Sequence, residues 1–105
     1  MFKELLKKLG FGPRADYKQL FENGAIILDV RSIGEYASGH IAGSINIPVD
    51  QLSGNVHKLK DKNQPIITCC ASGMRSASAK AILRSKGFEK VYNGGGWNSL
   101  QRVIK

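Results

Sequence analysis

The sequence predicts one α/β domain: a mainly parallel central sheet flanked by helices. Two observations carry this. Short apolar runs suited to buried strands alternate with helical patterns along the whole chain, which argues for parallel strands joined by crossover helices. The chain has 105 residues, a length that fits one domain able to bury a core without disulfides or metals. Right-handed crossovers then put helices on both faces of the sheet, giving three layers. No internal repeat or low-complexity tract interrupts the pattern.

At the start, Phe2, Leu5, Leu6 and Leu9 recur at helical spacing with Lys3, Lys7 and Lys8 between them. This predicts a short amphipathic helix whose apolar face caps the core. The other reading is a segment that lies on a membrane surface or a partner. Gly10-Phe11-Gly12-Pro13 breaks that helix. Residues 1–12 are therefore expected to be a helix and linker, and residues 13–105 the domain. Asp16 is placed to cap a helix over Tyr17–Glu22 that Asn23-Gly24 ends. Ala25–Val30 reads as a buried strand, and Ser32 as the cap of a brief helix through Tyr36. Gly39–Gly43 is a loop, and Ser44–Ile47 a short strand ended by Pro48. Asp50–Leu59 is expected to be helical, although Ser53-Gly54-Asn55 weakens it. Ile66–Cys69 is the next strand. Met74–Ser85 is the longest helix, stopped by Gly87. Lys90–Tyr92 is a strand, Gly94-Gly95-Gly96 a tight turn, and Trp97–Ile104 a terminal helix.

The formal net charge is +8. A basic surface of this kind keeps a protein dispersed, or draws in small anions or an acidic partner. Nucleic acid is not the expected partner, because no basic run is interleaved with aromatics. The two cysteines, Cys69 and Cys70, are adjacent. Neighbours on a strand point to opposite faces, so they should not pair with each other. Spaced cysteines that could build a disulfide framework or a zinc site are missing. A reducing cytoplasm fits best. Met1–Gly10 holds no continuous apolar core of a signal peptide, and no stretch is long enough to span a membrane. A monomer is the default, and no cofactor or metal is expected.

The chemistry concentrates in Cys70-Ala71-Ser72-Gly73-Met74-Arg75-Ser76. A cysteine stands at the C-terminal end of a strand, followed by small residues and a helix start. Ligands bind at that edge of an open α/β sheet. Unpaired N–H groups and the helix dipole there favour an anion or a thiolate. The expectation is an open thiol at the floor of an electropositive bowl, with a lowered pKa.

Several motifs, in order, resemble the rhodanese (sulfurtransferase) family over roughly residues 17–100. Leu28-Asp29-Val30-Arg31, then Glu35-Tyr36, then Gly39 to Pro48 resemble its first signature. Cys70 to Ser76 resembles its active-site loop, and Gly94-Gly95 its closing glycine pair. Three departures stand out. Ala71 takes a position where some relatives carry a basic residue. Trp97 follows the glycines at once, and the usual first edge strand is not evident. The resemblance implies a rhodanese-like three-layer fold. It also implies transfer of sulfane sulfur, from a small anionic donor such as thiosulfate to cyanide or a thiol, through a persulfide on Cys70. The backbone from Ala71 through Ser72, Gly73, Met74 and Arg75 to Ser76 would then cradle the sulfur. The acceptor would be a small thiophile or a thiol-bearing protein.

Around that centre, each residue has a plainer role to set beside the chemical one. Arg75 could hold an anionic donor through paired hydrogen bonds, or pin the loop by a salt bridge to Asp29 or Glu35. Ser72 and Ser76 could donate to sulfur, and Ser76 could equally cap the helix. Asp29 and Arg31 share the same rim and are read first as supports of the loop. His40 is read as a turn-stabilising residue and His57 as surface. Met74 and Trp97 could line the mouth of the site, with core packing preferred for Trp97. Two other functions compete. Counted from Cys69, the arginine completes the Cys-x5-Arg spacing of cysteine phosphatases and arsenate reductases. Alternatively, the domain carries a persulfide to a protein acceptor with little turnover of its own.

Overall fold

The structure is a computed structural model that describes residues 16–105. The expected N-terminal amphipathic helix, and the boundary after residue 12, lie outside the described residues. The order of elements is α1 (Tyr17–Glu22), β1 (Ile26–Asp29), α2 (Ile33–Ala37), β2 (Ile45–Asn46), α3 (Val49–Leu52), a 3-10 turn (Val56–Lys58), β3 (Ile66–Cys70), α4 (Met74–Ser85), β4 (Val91–Gly96) and α5 (Trp97–Ile104). The four strands form one sheet in the order β2-β1-β3-β4, and every pairing is parallel. The predicted α/β class and parallel sheet are therefore observed.

Alternation along the strands sorts the core into two layers. Ile26, Leu28, Val30, Ile66 and Cys70 pack with Leu52, Leu59, Ala79 and Leu83 beneath α3 and α4. Ile27, Ile67 and Cys69 face the other way, against Tyr17, Leu100 and Ile104 of α1 and α5. Helices cover both faces, as parallel sheets require.

Local signals fixed several ends. The Asp16 carboxylate accepts from the Gln19 N–H at 3.0 Å and caps α1. Ser32 and Glu35 form a reciprocal capping box at α2. The long central helix spans Met74–Ser85 as expected. Two expectations fail. In place of one helix over Asp50–Leu59 there is a four-residue helix, a break around Gly54 and a 3-10 turn. Gly54 and its polar neighbours give too little helix propensity to bridge the two pieces.

The glycine run is the other correction. Gly94-Gly95-Gly96 is the end of β4 and not a turn. A Cβ at Gly94 would lie 2.7 Å from Ile67 Cγ2, 2.9 Å from Leu100 Cδ2 and 2.9 Å from the Thr68 carbonyl oxygen. The strand lacks side chains there because β3 and α5 close on its backbone. Its pairing with β3 shifts register between Thr68 and Cys70, bringing Gly96 opposite Cys70.

Candidate active site

Cys70 ends β3, and the chain turns immediately into α4. Gly73 makes that turn possible: it is the residue before the helix and has φ of +106°, a region glycine occupies without a steric penalty. The turn aims backbone N–H groups back at the sulfur. The Gly73 N–H donates to Cys70 Sγ at 2.9 Å and the Ser76 N–H at 3.4 Å. Cys70 Sγ also lies 3.5 Å from the Ser76 hydroxyl.

These contacts decide the thiol's acidity. Burial works to raise it. The Ser76 hydroxyl and the N–H groups of Ser76, Gly73 and Ser72 work to lower it, and they prevail, so Cys70 sits below the ordinary cysteine value. One expectation is corrected: the thiol is not open to solvent. Cys70 is fully buried, at 0 % exposure. Its side chain is packed within the α4-side layer, yet its sulfur still faces the amides.

Cys69 is equally buried but lies on the opposite face, among Ile67 and Leu100. Burial, followed by the nearby Asp29 carboxylate, pushes its thiol up to about 12. Both cysteines are free.

The bowl is also less electropositive than expected. Arg75 closes on Glu35 with two bonds, Nη1 to Oε1 at 2.7 Å and Nη2 to Oε2 at 3.0 Å. The pair is about one-third exposed. Of the two roles weighed for Arg75, this contact is the loop-pinning one. Beside it, a groove of about 340 Å³ is lined by Val30, Ile33, Pro48, Val49, Asp50 and Arg75. Met74 projects into solvent, 80 % exposed. Ala71 and Ser72 are exposed on the loop.

The Asp29 and Arg31 side chains make no hydrogen bond to the cysteine loop. Arg31 donates to both Asp29 oxygens, at 2.7 Å for the closest contact. It also donates to the carbonyls of Glu35 and Gly39. Its guanidinium lies 4.6 Å from the Trp97 ring centroid. This buried pair ties the end of β1 to α2 and α5. His40 bonds the Tyr36 carbonyl through Nδ1 at 2.7 Å and stacks on the Tyr36 ring, which fits its reading as a turn residue. His57 is exposed.

Sequence reasoning missed Asn93. It lies on β4, beyond Ser76 from the cysteine. Its Oδ1 accepts from the Ser76 hydroxyl at 2.6 Å and from the Gly95 N–H at 2.9 Å. Its Nδ2 donates to the Gly73 carbonyl at 3.3 Å. Every buried polar side-chain atom among the described residues has a partner. No cluster of metal-ligating side chains occurs among them, and no helix among them is long and apolar enough to cross a membrane.

Comparison with known proteins places this geometry. The family model described as the rhodanese-like domain matches residues 13–102. The thiosulfate sulfurtransferase GlpE of Pseudomonas fluorescens is 34 % identical over 91 residues, covering 87 % of this chain and 83 % of that one. The solved structure of a rhodanese with anions from E. coli superposes with a TM-score of 0.67 at 33 % identity, over 71 % of this chain and 89 % of that one. A human single-domain sulfurtransferase superposes with a TM-score of 0.71 at 27 % identity, covering 81 % and 90 %. A strand-end cysteine held by backbone amides, in a chain that the rhodanese-like family model matches over residues 13–102, makes this chain a member of the rhodanese-like sulfurtransferase family.

Proposed function

We propose that the protein is a thiosulfate sulfurtransferase that works through a persulfide on Cys70. The observation that carries this reading is the contact of the Cys70 sulfur with the N–H groups of Gly73 and Ser76. Such donors stabilise a sulfur anion without needing a positive side chain. The Cys70 thiolate attacks the outer sulfur of thiosulfate. A new S–S bond forms, and sulfite leaves with the electron pair of the old one. Cyanide or an acceptor thiolate then attacks the outer sulfur of the persulfide, and Cys70 returns as a thiolate. Splitting the transfer in two is the gain from covalent catalysis.

In this reading Cys70 is the catalytic residue. The backbone of Ala71, Ser72, Gly73, Met74, Arg75 and Ser76 holds the persulfide, and Asp29 and Arg31 support the rim. The donor is a small anion, and the acceptor is cyanide, a small thiol or a thiol-bearing protein. A cytoplasmic setting suits both free cysteines. The phosphatase register finds no support, because Cys69 faces the other core layer and its thiol is pushed up to about 12.

Intact-mass spectrometry after exposure to thiosulfate tests the proposal. The expected result is a gain of one sulfur atom, retained in Cys69→Ser and lost in Cys70→Ser. Prompt thiocyanate formation with cyanide should accompany it. A stable adduct without turnover would favour a carrier. An adduct lost only in Cys69→Ser would overturn the assignment.

A further inference from the structure

We propose that Asn93 is a positioning residue: its Oδ1 holds the Ser76 hydroxyl proton turned away from Cys70, so that this hydroxyl faces the sulfur as an acceptor at rest and joins the Gly73 and Ser76 N–H groups as a donor only when it swings round. The inference rests on the reading of Cys70 as the reacting thiol. It starts from a count of protons. The Ser76 hydroxyl has one to give. Three acceptors lie within its reach: Asn93 Oδ1 at 2.6 Å, the Gly73 carbonyl at 3.0 Å and Cys70 Sγ at 3.5 Å. The Gly73 carbonyl is already used by Asn93 Nδ2 and by the Ala77 N–H. Asn93 Oδ1 is the nearest acceptor and takes the proton.

The orientation of the Asn93 amide is fixed by its other partners. The Gly95 N–H needs an acceptor and finds Oδ1 at 2.9 Å, while Nδ2 faces the Gly73 carbonyl. Turning the amide over would set two donors against each other at Gly95 and two acceptors at Gly73. With its proton on Asn93, the Ser76 oxygen presents a lone pair to Cys70. That arrangement suits the thiol, whose S–H donates to Ser76. The hydroxyl lowers the thiol's pKa only by donating to the thiolate, which requires its proton to move from Asn93 to sulfur. The site therefore has two hydrogen-bond states, and Asn93 sets the balance between them.

The charged surroundings do not supply this effect. From α4 comes Arg75, closed on Glu35 of α2. From β1 comes Asp29, closed on Arg31. Cys69, next along β3, points into the opposite layer. On β4, the group in this network is the neutral Asn93 amide.

The test is the pH dependence of Cys70 alkylation by iodoacetamide, followed by intact mass in Cys69→Ala protein. Asn93→Ala is compared with its parent twice, with Ser76 present and in the Ser76→Ala background. Loss of the Asn93 tie to Gly73 acts on the thiol in both backgrounds and cancels in the comparison. Release of the hydroxyl acts only where Ser76 is present. The expected result is that Asn93→Ala moves the Cys70 midpoint lower with Ser76 than without it, by roughly half to one pH unit, the size of one hydrogen bond. Asn93→Asp keeps an acceptor for Gly95 and binds the hydroxyl more tightly. It should give a difference of the opposite sign, and it serves where Asn93→Ala does not fold. Equal shifts in the two backgrounds, for both substitutions, would overturn the role. Alkylation needs no sulfur donor. A protein that takes no sulfur from thiosulfate but shows the non-additive shift thus loses the sulfurtransferase reading and keeps this one. Persulfide formation with additive shifts does the reverse.

Discussion

Cys69 and Cys70 differ by one position and by almost everything else. The two-residue period of a strand turns them to opposite faces, and only one face ends in a loop of free amides. Burial raises the Cys69 thiol from 9.0 to about 12, so folding favours its protonated form. That stabilisation is complete below pH 9, the ordinary value, and is lost as pH rises through about 12. Cys69→Ala should therefore flatten the alkaline limb of the stability curve, read as a smaller loss of unfolding midpoint across that window. At near-neutral pH the folded protein should take up one alkyl group, on Cys70, and the denatured protein two. Rapid double alkylation of the folded protein would contradict the placement of Cys69. The cysteine and its loop were legible because consecutive residues carry both the thiol and the turn. Asn93 was not, because it meets Ser76 only through the pairing of β3 with β4. No local spacing announces a partner brought in across the sheet.

Among the elements, α2 shows how one side chain can serve two ends. Glu35 accepts from the Ser32 N–H at 3.1 Å, closing the capping box. The same carboxylate receives Arg75 from α4. Arg75 first, then the Ser32 N–H and hydroxyl, holds Glu35 down at about 2. Because that carboxyl is depressed in the folded state, the pairing is intact above pH 4.5, its ordinary value, and fails only as pH falls through about 2. Glu35→Gln keeps an oxygen for the cap and removes the charge that occupies Arg75. The freed guanidinium can then meet an anionic donor. For a partly exposed pair the expected gain is modest, a fall in KM for thiosulfate of roughly two- to threefold. A rise in KM would mean that Arg75 serves only to pin the loop. The cap at Ser32 could be read from its spacing to Glu35, whereas the run Gly94–Gly96 misled. Glycines usually punctuate turns, and here Gly94 makes room for Ile67 and Leu100 against a strand. That demand comes from packing between layers, which a linear pattern does not display.

Across the whole molecule, the sheet must present one edge where β1, β2 and β3 all end, and something must hold that edge together. Arg31 does so from its centre. It neutralises Asp29 inside the fold, bonds the carbonyls of Glu35 and Gly39, and lies over Trp97 at the start of α5. The carboxylate of Asp29 is fully buried, at 0 % exposure, so its charge is tolerable only while the guanidinium stays. Arg31→Met fills much of the same space but leaves that charge unpaired. Breaking a buried pair in this way costs about 3–5 kcal/mol, which for a domain near this size lowers Tm by about 15 °C or more. Replacing both partners, Asp29→Leu with Arg31→Met, removes the stranded charge and should recover part of the loss. The reason is that desolvating an uncompensated carboxylate, more than losing the attraction, is what destabilises the single variant. Thermal unfolding by circular dichroism decides the matter. A fall in Tm equal for the single and the double variant would show that the three contacts to Glu35, Gly39 and Trp97, and not the ion pair, hold this end of the sheet.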